Sequence, residues 1–168
     1  MRVLIINPNS DAAMTDAIRR KAESFANGEY EVVAVSTPGA SKFVATYEDH
    51  AKAAPGMIEL VRQNQDAFDA FVIACHGDPN MDLMKEITTK PVVGIAEASM
   101  KIATMLGHSF TVIAPVEHNV PNKYVLIRKY HLESDCASVR APKRGASGME
   151  EEKLIEAGDE KAEQVLHA

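Results

Sequence analysis

The chain has 168 residues, of which 46% are hydrophobic, and its formal net charge at pH 7 is −6. This length and composition allow a substantial core in one large domain, or in one domain with part of another. The apolar runs are far shorter than the ~20 residues of a membrane span, and the N-terminus lacks the pattern of a secretory signal. An acidic chain with no Trp and no basic stripe is a poor match for nucleic acid.

The chain contains two cysteines, Cys75 and Cys136. Their number does not suggest a disulfide framework, and their spacing does not suggest a metal site. The acidic run Glu150–Glu152 is better explained as the first turn of a helix than as a group of metal ligands. Free cysteines suit a reducing compartment, so we expect a cytoplasmic protein.

Predicted strands and helices alternate along the first two thirds of the chain. The strands are predicted over Val3–Ile6, Tyr30–Ser36, Ala70–Ala74, Pro91–Ile95 and Phe110–Ala114. The helices are predicted over about Asp11–Phe25, Glu48–Gln65, Met81–Thr88 and Ala96–Leu106. Asn9 or Ser10 is the expected cap of the first helix, and Pro55-Gly56 is expected to kink or divide the second. This alternation, with short links, predicts an α/β fold whose parallel sheet is flanked by helices.

The last quarter of the chain has a weaker pattern. It predicts a helix over Asn119–Tyr130, a strand over Ala137–Val139, a linker over residues 141–148 and an amphipathic helix over residues 149–167. We therefore expect an α/β domain over residues 1–114 and an incomplete second half over residues 115–168. A terminal helix with one apolar face, beside an unpaired edge strand, predicts a homo-oligomer.

The most informative stretch is Asp69–Pro79, which reads Asp-Ala-Phe-Val-Ile-Ala-Cys-His-Gly-Asp-Pro. Its apolar run suits a strand buried on both faces, and this strand ends at Cys75. Ligand sites in open parallel sheets lie at the carboxyl ends of strands, where the start of the next helix can favour a thiolate. Cys75 can equally be an apolar residue that finishes a core strand. Its position alone leaves both interpretations open.

Motifs at the ends of three predicted strands resemble those of the aspartate/glutamate/hydantoin racemase superfamily. They are Ile6-Asn7-Pro8-Asn9-Ser10, Ala74-Cys75-His76-Gly77-Asp78-Pro79 and Pro91-Val92-Val93-Gly94-Ile95-Ala96-Glu97-Ala98. The branch of hydantoin and allantoin racemases is the most similar, and the segment from Cys136 to Ala141 also resembles it. The resemblance covers nearly all of the chain. It implies a fold of two similar α/β halves, of which this chain holds one complete half and part of the second.

The resemblance implies a cofactor-independent racemase that acts on a small molecule such as a hydantoin, allantoin or an amino acid. Two cysteines of the family exchange the α-proton on opposite faces of the substrate, and Cys75 matches the first of them. The turn Asn7-Pro8-Asn9-Ser10 matches a loop that binds carbonyl or carboxylate groups of the substrate, with Asn9 as the best candidate for a direct contact. The amides of His76 and Gly77 match the position that stabilises an enolate-like intermediate. Such chemistry needs a base and a stabilised oxygen, because an α-proton is only weakly acidic.

The other candidate contacts to substrate each have a structural alternative. The Ser10 hydroxyl can cap a helix, and His76 can either tune the thiol or lie exposed on its loop. Asp78 can fix its own loop. Glu97 can orient substrate or simply suit the start of a helix. His50 and three other histidines are interpreted as surface residues.

Two differences from the family bear on the function. The second catalytic cysteine of the family lies in a Gly-Cys-Ala-Gly-like motif that would fall beyond residue 168, so we interpret the chain as C-terminally shortened. Where the family tends to carry Ser-Ile-Glu, this chain has Phe43-Val44-Ala45. We therefore expect little or no racemase activity from the 168-residue form, because the second proton donor would be absent. The alternatives are a single-cysteine enzyme that resembles arylmalonate decarboxylases, and an inactive paralogue that binds a small carboxylate.

Overall fold

The structure is a computed structural model that describes residues 1–141. Its strands are β1 (Arg2–Asn7), β2 (Glu31–Ser36), β3 (Ala70–Ile73), β4 (Val92–Gly94), β5 (Phe110–Ile113) and β6 (Cys136–Arg140). Its helices are α1 (Ala12–Ala26), α2 (Tyr47–Asn64), α3 (Met81–Glu86), α4 (Ile95–Leu106) and α5 (Val120–Lys129), with a 3₁₀ turn at Glu117–Asn119. The terminal helix predicted over residues 149–167 and the linker predicted after Ala141 lie outside the described residues.

The first four strands form one parallel sheet in the order β2-β1-β3-β4. Right-handed crossovers place α1 on one face of this sheet and α2 and α3 on the other. The predicted α/β class, a parallel sheet flanked by helices, is confirmed. Among the described residues, no helix combines the length and apolar character that a bilayer crossing requires.

The main core lies between the sheet and helices α2 and α3. Alternate residues of β1 and β3 face these helices, because successive side chains of a strand point to opposite faces. The fully buried members include Leu4, Ile6, Phe71, Ile73, Ala53, Met57, Val61, Met81 and Met84. Val72, on the opposite face of β3, is only half-buried, and Val93 of β4 is 43% exposed. The second face is therefore covered less fully than the unbroken apolar run of β3 predicts.

Helix α2 continues through Pro55-Gly56, so the predicted division of this helix is wrong. Gly56 is buried where the loop after β2 crosses the helix. A Cβ atom on Gly56 would lie 2.3 Å from the carbonyl oxygen of Pro38 and 2.7 Å from Cγ2 of Thr37. Glycine therefore serves close packing of helix and loop at this position, rather than a break in the helix.

Helix α2 begins with a capping box formed by Thr46 and Asp49. The Asp49 carboxylate also accepts hydrogen bonds from the Ser41 hydroxyl (2.8 Å) and from the amide of Ala45 (3.1 Å). These hydrogen bonds hold the pKa of Asp49 well below its usual range, the bond from Ser41 contributing most. The carboxylate thus fixes the loop before α2 to the first turn of the helix.

Replacing Asp49 with Asn is expected to lower the free energy of unfolding by about 1 kcal/mol at pH 7, the usual worth of such a cap. A carboxyl group whose pKa is lower in the folded state than in the unfolded state stabilises the folded state. This contribution is complete at pH values above the unfolded-state pKa of ~3.9. That contribution falls as the pH drops below this value. Urea unfolding should therefore show the same gap between wild type and variant at pH 7 and pH 5, and a narrower gap at pH 3, because the contribution is lost completely only near the lower pKa of the folded state. A gap that does not change with pH would contradict the assignment.

The second sheet consists of β5 and β6, which pair in parallel, and α5 packs beside them. The chain divides into two compact units, one over Met1–Ser99 and one that begins at Met100, within α4. The predicted domain over residues 1–114 groups β5 with the first four strands, whereas β5 pairs with β6. The boundary after Ala114, as a division of the protein into domains, stays a prediction.

Candidate active site

The strand order of the first unit creates a crevice at one edge of its sheet. The strand order reverses at β1, because α1 leads to β2 on one side of β1 while α2 leads to β3 on the other side. The turns after β1 and β3 therefore depart toward opposite faces, and ligands bind at such points in open α/β sheets. Ile6 is in register with Ile73, which is in register with Gly94. The structure thus brings the three motif-bearing turns to the same sheet edge.

The turn after β1 is held by its two asparagines. The Asn7 amide nitrogen donates to Asn9 Oδ1 (2.7 Å) and to Thr15 Oγ1 (2.9 Å), and the Asn7 carbonyl accepts from the Thr37 hydroxyl (2.8 Å). Asn9 Nδ2 donates to the sulfur of Met14 at 3.2 Å, which is a weak acceptor. Asn7 therefore builds the turn, while Asn9 keeps an amide group that a stronger acceptor can engage.

The cap of α1 is Asp11, so the prediction of Asn9 or Ser10 is wrong. The Asp11 carboxylate accepts from the amide of Met14 at 2.8 Å, and the Asp11 amide donates to Asn9 Oδ1 at 2.9 Å. Asn9 Oδ1 accepts hydrogen bonds within the turn, and Asp11 caps the helix instead. The Ser10 side chain is exposed at the sheet edge, and its amide donates to the carbonyl of Ser41 at 3.1 Å.

Cys75 opens a tight turn in which the Asp78 amide donates to the Cys75 carbonyl at 2.9 Å. His76 and Gly77 occupy the two corner positions of this turn. Cys75 is not part of a disulfide and is half-buried. Residues 76–80 separate it from α3, a helix of six residues that begins at Met81. The dipole of so short a helix gives the thiolate less support than the sequence suggested.

Asp78 ties the cysteine turn to helix α4. Its side chain is 4% exposed, and its carboxylate accepts from the amides of Ala96 (3.0 Å) and Glu97 (2.8 Å) at the start of that helix. A Cβ atom on Gly94 would lie 2.4 Å from the Asp78 carboxyl carbon. Asp78 therefore fixes the position of the turn, and Gly94 provides the space for it.

Two further residues predicted to contact substrate, Glu97 and His76, interact with side chains of α3 and α4. Glu97 accepts from Lys85 Nζ at 2.8 Å, and its side chain is 19% exposed. Nε2 of His76 lies 3.3 Å from the hydroxyl of Ser99. Each of these side chains therefore has a partner on a neighbouring element.

His50 is the residue near this site that the sequence analysis missed. It lies on α2 and is half-buried, whereas it was interpreted as a surface residue. A Cβ atom built on Gly77 would lie 3.4 Å from His50 Nε2 and 3.6 Å from Cys75 Sγ. An imidazole therefore flanks the cysteine turn from the helix side. The chain separation between His50 and Cys75 leaves no local pattern from which this proximity could be predicted.

Cys136 has a different environment on β6. Its thiol donates to the carbonyl of Ser138 at 3.5 Å, and burial raises the pKa of the thiol. Cys136 is thus a weak nucleophile at neutral pH. Within residues 1–141, no group of three or more His, Cys, Asp or Glu side chains is arranged to hold a metal ion.

Comparison with known proteins shows the family to which the chain belongs. A family model described as Asp/Glu/Hydantoin racemase matches residues 3–168. The hydantoin racemase of Pseudomonas sp. (strain NS671) is 35% identical over 151 residues, covering 89% of this chain and 61% of that protein. The hydantoin racemase of Paenarthrobacter aurescens is 30% identical over 154 residues, covering 90% and 65%.

Two of the solved structures that match this chain are allantoin racemases. Allantoin racemase from Klebsiella pneumoniae superposes with a TM-score of 0.83 at 30% identity, covering 97% of this chain and 69% of that one. Allantoin racemase from Pseudomonas fluorescens gives a TM-score of 0.82 at 30% identity, covering 93% and 64%. The chain spans somewhat under two thirds of the length of the two hydantoin racemases.

Proposed function

Because the chain belongs to the Asp/Glu/hydantoin racemase family, we propose that it is an isomerase that transfers the α-proton of a hydantoin, allantoin or a related amino-acid derivative. The observation that carries the proposal is the position of the Cys75 thiol in the turn after β3, at the sheet edge where the Asn7–Ser10 turn follows the neighbouring strand β1. The substrate class follows from the names of the similar proteins, which are hydantoin and allantoin racemases.

In the proposed reaction, the Cys75 thiolate removes the α-proton from one face of the substrate carbon. The electron pair of the broken C–H bond moves into the adjacent carbonyl, whose oxygen becomes negative. Cys75 becomes a thiol, the negative charge passes to the substrate oxygen, and the net charge is conserved. Inversion requires a second acid to deliver a proton to the opposite face, because one base cannot reach both faces of a planar intermediate.

Substrate is held, in this proposal, by the two turns that flank the crevice. Asn9 Nδ2 exchanges its weak bond to Met14 for a carbonyl or carboxylate oxygen, and the exposed Ser10 hydroxyl is available beside it. The amides at the corner of the cysteine turn, those of His76 and Gly77, face the developing enolate oxygen. Preorganised donors of this kind stabilise charge that appears only during the reaction. Glu97 and Asp78 act mainly by fixing these turns.

The function is tested with single enantiomers of a 5-substituted hydantoin and of allantoin in D₂O. Proton NMR follows replacement of the α-proton by deuterium, and polarimetry follows loss of optical rotation. We expect α-proton exchange above the spontaneous rate, and racemisation that is slow by comparison, because no second acid is assigned to the opposite face of the substrate. Exchange with retained configuration would instead favour the single-cysteine alternative. Binding without exchange would favour the inactive paralogue and contradict the proposal.

We also propose that the chain forms a homo-oligomer in a reducing, cytoplasmic environment. Supporting this, α4 exposes three apolar side chains, with Ile102, Met105 and Leu106 exposed by 53%, 83% and 84%. An apolar surface of this kind favours association. Sedimentation velocity should give a species larger than a monomer, and the double substitution Met105→Glu with Leu106→Glu should shift it toward the monomer. A wild-type protein that sediments as a monomer would contradict this proposal.

A further inference from the structure

The cysteine turn has an imidazole on its helix side that the proposed reaction does not yet use. His50 Nε2 and Cys75 Sγ lie 3.4 and 3.6 Å from the same point, the place of a Cβ atom on Gly77. The two atoms are therefore at most about 7 Å apart, the sum of those distances. Because Gly77 has no side chain, nothing from that residue separates them.

The position of His50 is fixed from both sides. Asn80, the residue before α3, donates from its side-chain amide to the His50 carbonyl at 2.8 Å, which joins α2 to the end of the cysteine turn. The Tyr47 ring meets the His50 ring edge-on, with centroids 5.6 Å apart. The capping box at Thr46 and Asp49 anchors the same helical turn. The imidazole thus belongs to an ordered part of the fold.

We propose that His50 is a positioning residue for Cys75, and that its imidazolium stabilises the Cys75 thiolate. In this step, the S–H bond of the Cys75 thiol breaks and its proton goes to the His50 imidazole. The pair keeps the same net charge, as a thiolate beside an imidazolium. A cysteine beside a protonated histidine has a lowered pKa, which is how a thiol becomes a base at neutral pH. The inference rests on the proposed function, in which Cys75 is that base.

The neighbouring charged side chains bind other groups, so we assign stabilisation of the Cys75 thiolate to His50. On α2, Asp49 directs its carboxylate to Ser41, Ala45 and Thr46. On the turn, the Asp78 carboxylate binds the amides that begin α4. His76, which sequence reasoning considered as the residue that tunes the thiol, has its Nε2 next to Ser99. Tyr47, a further titratable residue on α2, contacts the imidazole through a T-shaped ring pair.

The test measures the reactivity of Cys75 rather than turnover. In the full chain carrying Cys136→Ser, Cys75 is the sole thiol, and iodoacetamide alkylation is followed from pH 5 to pH 9. We expect His50→Gln to slow alkylation at pH 7 by about three- to tenfold and to move the alkylation midpoint toward ~8.5, the value of an unassisted cysteine. His108→Gln is the matched control, because His108 is exposed on another part of the chain, and it should match the parent.

A charge-retaining variant separates electrostatics from damage to the fold. His50→Lys keeps a positive charge and should recover most of the alkylation rate at pH 7, while urea unfolding checks that all variants fold. An unchanged alkylation profile in folded His50→Gln, or a loss that His50→Lys does not recover, would overturn the proposal. Failure of the proposed function would look different: His50 would still govern alkylation, but no hydantoin or allantoin would exchange its α-proton.

Discussion

Replacing Cys75 with Ser is expected to lower the rate of α-proton exchange by a factor of at least about 10², the usual contribution of a positioned base. A serine hydroxyl has nearly the shape of the thiol but does not ionise near neutral pH. Cys136→Ser is the matched control. Its thiol lies on β6, donates to Ser138 and has a raised pKa, so exchange should stay within about twofold of wild type.

The outcome is measured by proton NMR in D₂O, with urea unfolding of each variant as the check on the fold. Full activity in a folded Cys75→Ser protein would show that another group removes the proton. An equal loss in both variants would move the chemistry away from the β1/β3 crevice. Either result would contradict the assignment of Cys75.

Replacing Gly94 with Ala is expected to lower the free energy of unfolding by about 1–3 kcal/mol, the usual cost of overpacking a buried position. The new methyl group would lie 2.4–2.5 Å from the Asp78 carboxyl atoms. Asp78 could move only by giving up its hydrogen bonds to Ala96 and Glu97. Because Asp78 closes the cysteine turn, exchange activity should fall together with stability.

Gly107→Ala is the control for this substitution. A Cβ atom at Gly107 would meet its nearest neighbour, the Ser109 carbonyl oxygen, at 3.7 Å, which is an ordinary contact. Urea unfolding should therefore show a change of less than about 0.5 kcal/mol for Gly107→Ala, as for most unconstrained sites. If the two alanine variants unfolded alike, Gly94 would not be needed to accommodate Asp78.

The sequence was sufficient to predict the order of strands and helices through β5. Buried strands such as Ala70–Ile73 carry a continuous apolar signal, and turns rich in Asn, Pro and Gly mark where they end. The caps were harder to predict. Asn9, Ser10 and Asp11 are all suitable capping residues, and the choice of Asp11 depends on Asn9 being engaged by Asn7.

Other features depend on contacts between distant segments. Gly56 looked like a helix breaker, but its role is set by the loop at Thr37 and Pro38 that packs against it. The residues of the candidate site also differ in whether the local sequence could predict them. The strand-end rule identified Cys75 and its turn, because it follows from local pattern and topology. His50 lies near the turn because α2 packs against it. No pattern of residue spacing within the local sequence indicates that packing.

The central claim, that Cys75 is the reactive thiol of a substrate site at the β1/β3 crevice, is tested most directly by protection from alkylation. The folded full chain is treated with limiting iodoacetamide at pH 7, with and without a hydantoin, and the modified peptides are quantified by mass spectrometry. We expect Cys75 to be modified well before Cys136, and the hydantoin to protect Cys75 alone. Faster modification of Cys136, or a Cys75 that the hydantoin leaves unprotected, would contradict this claim.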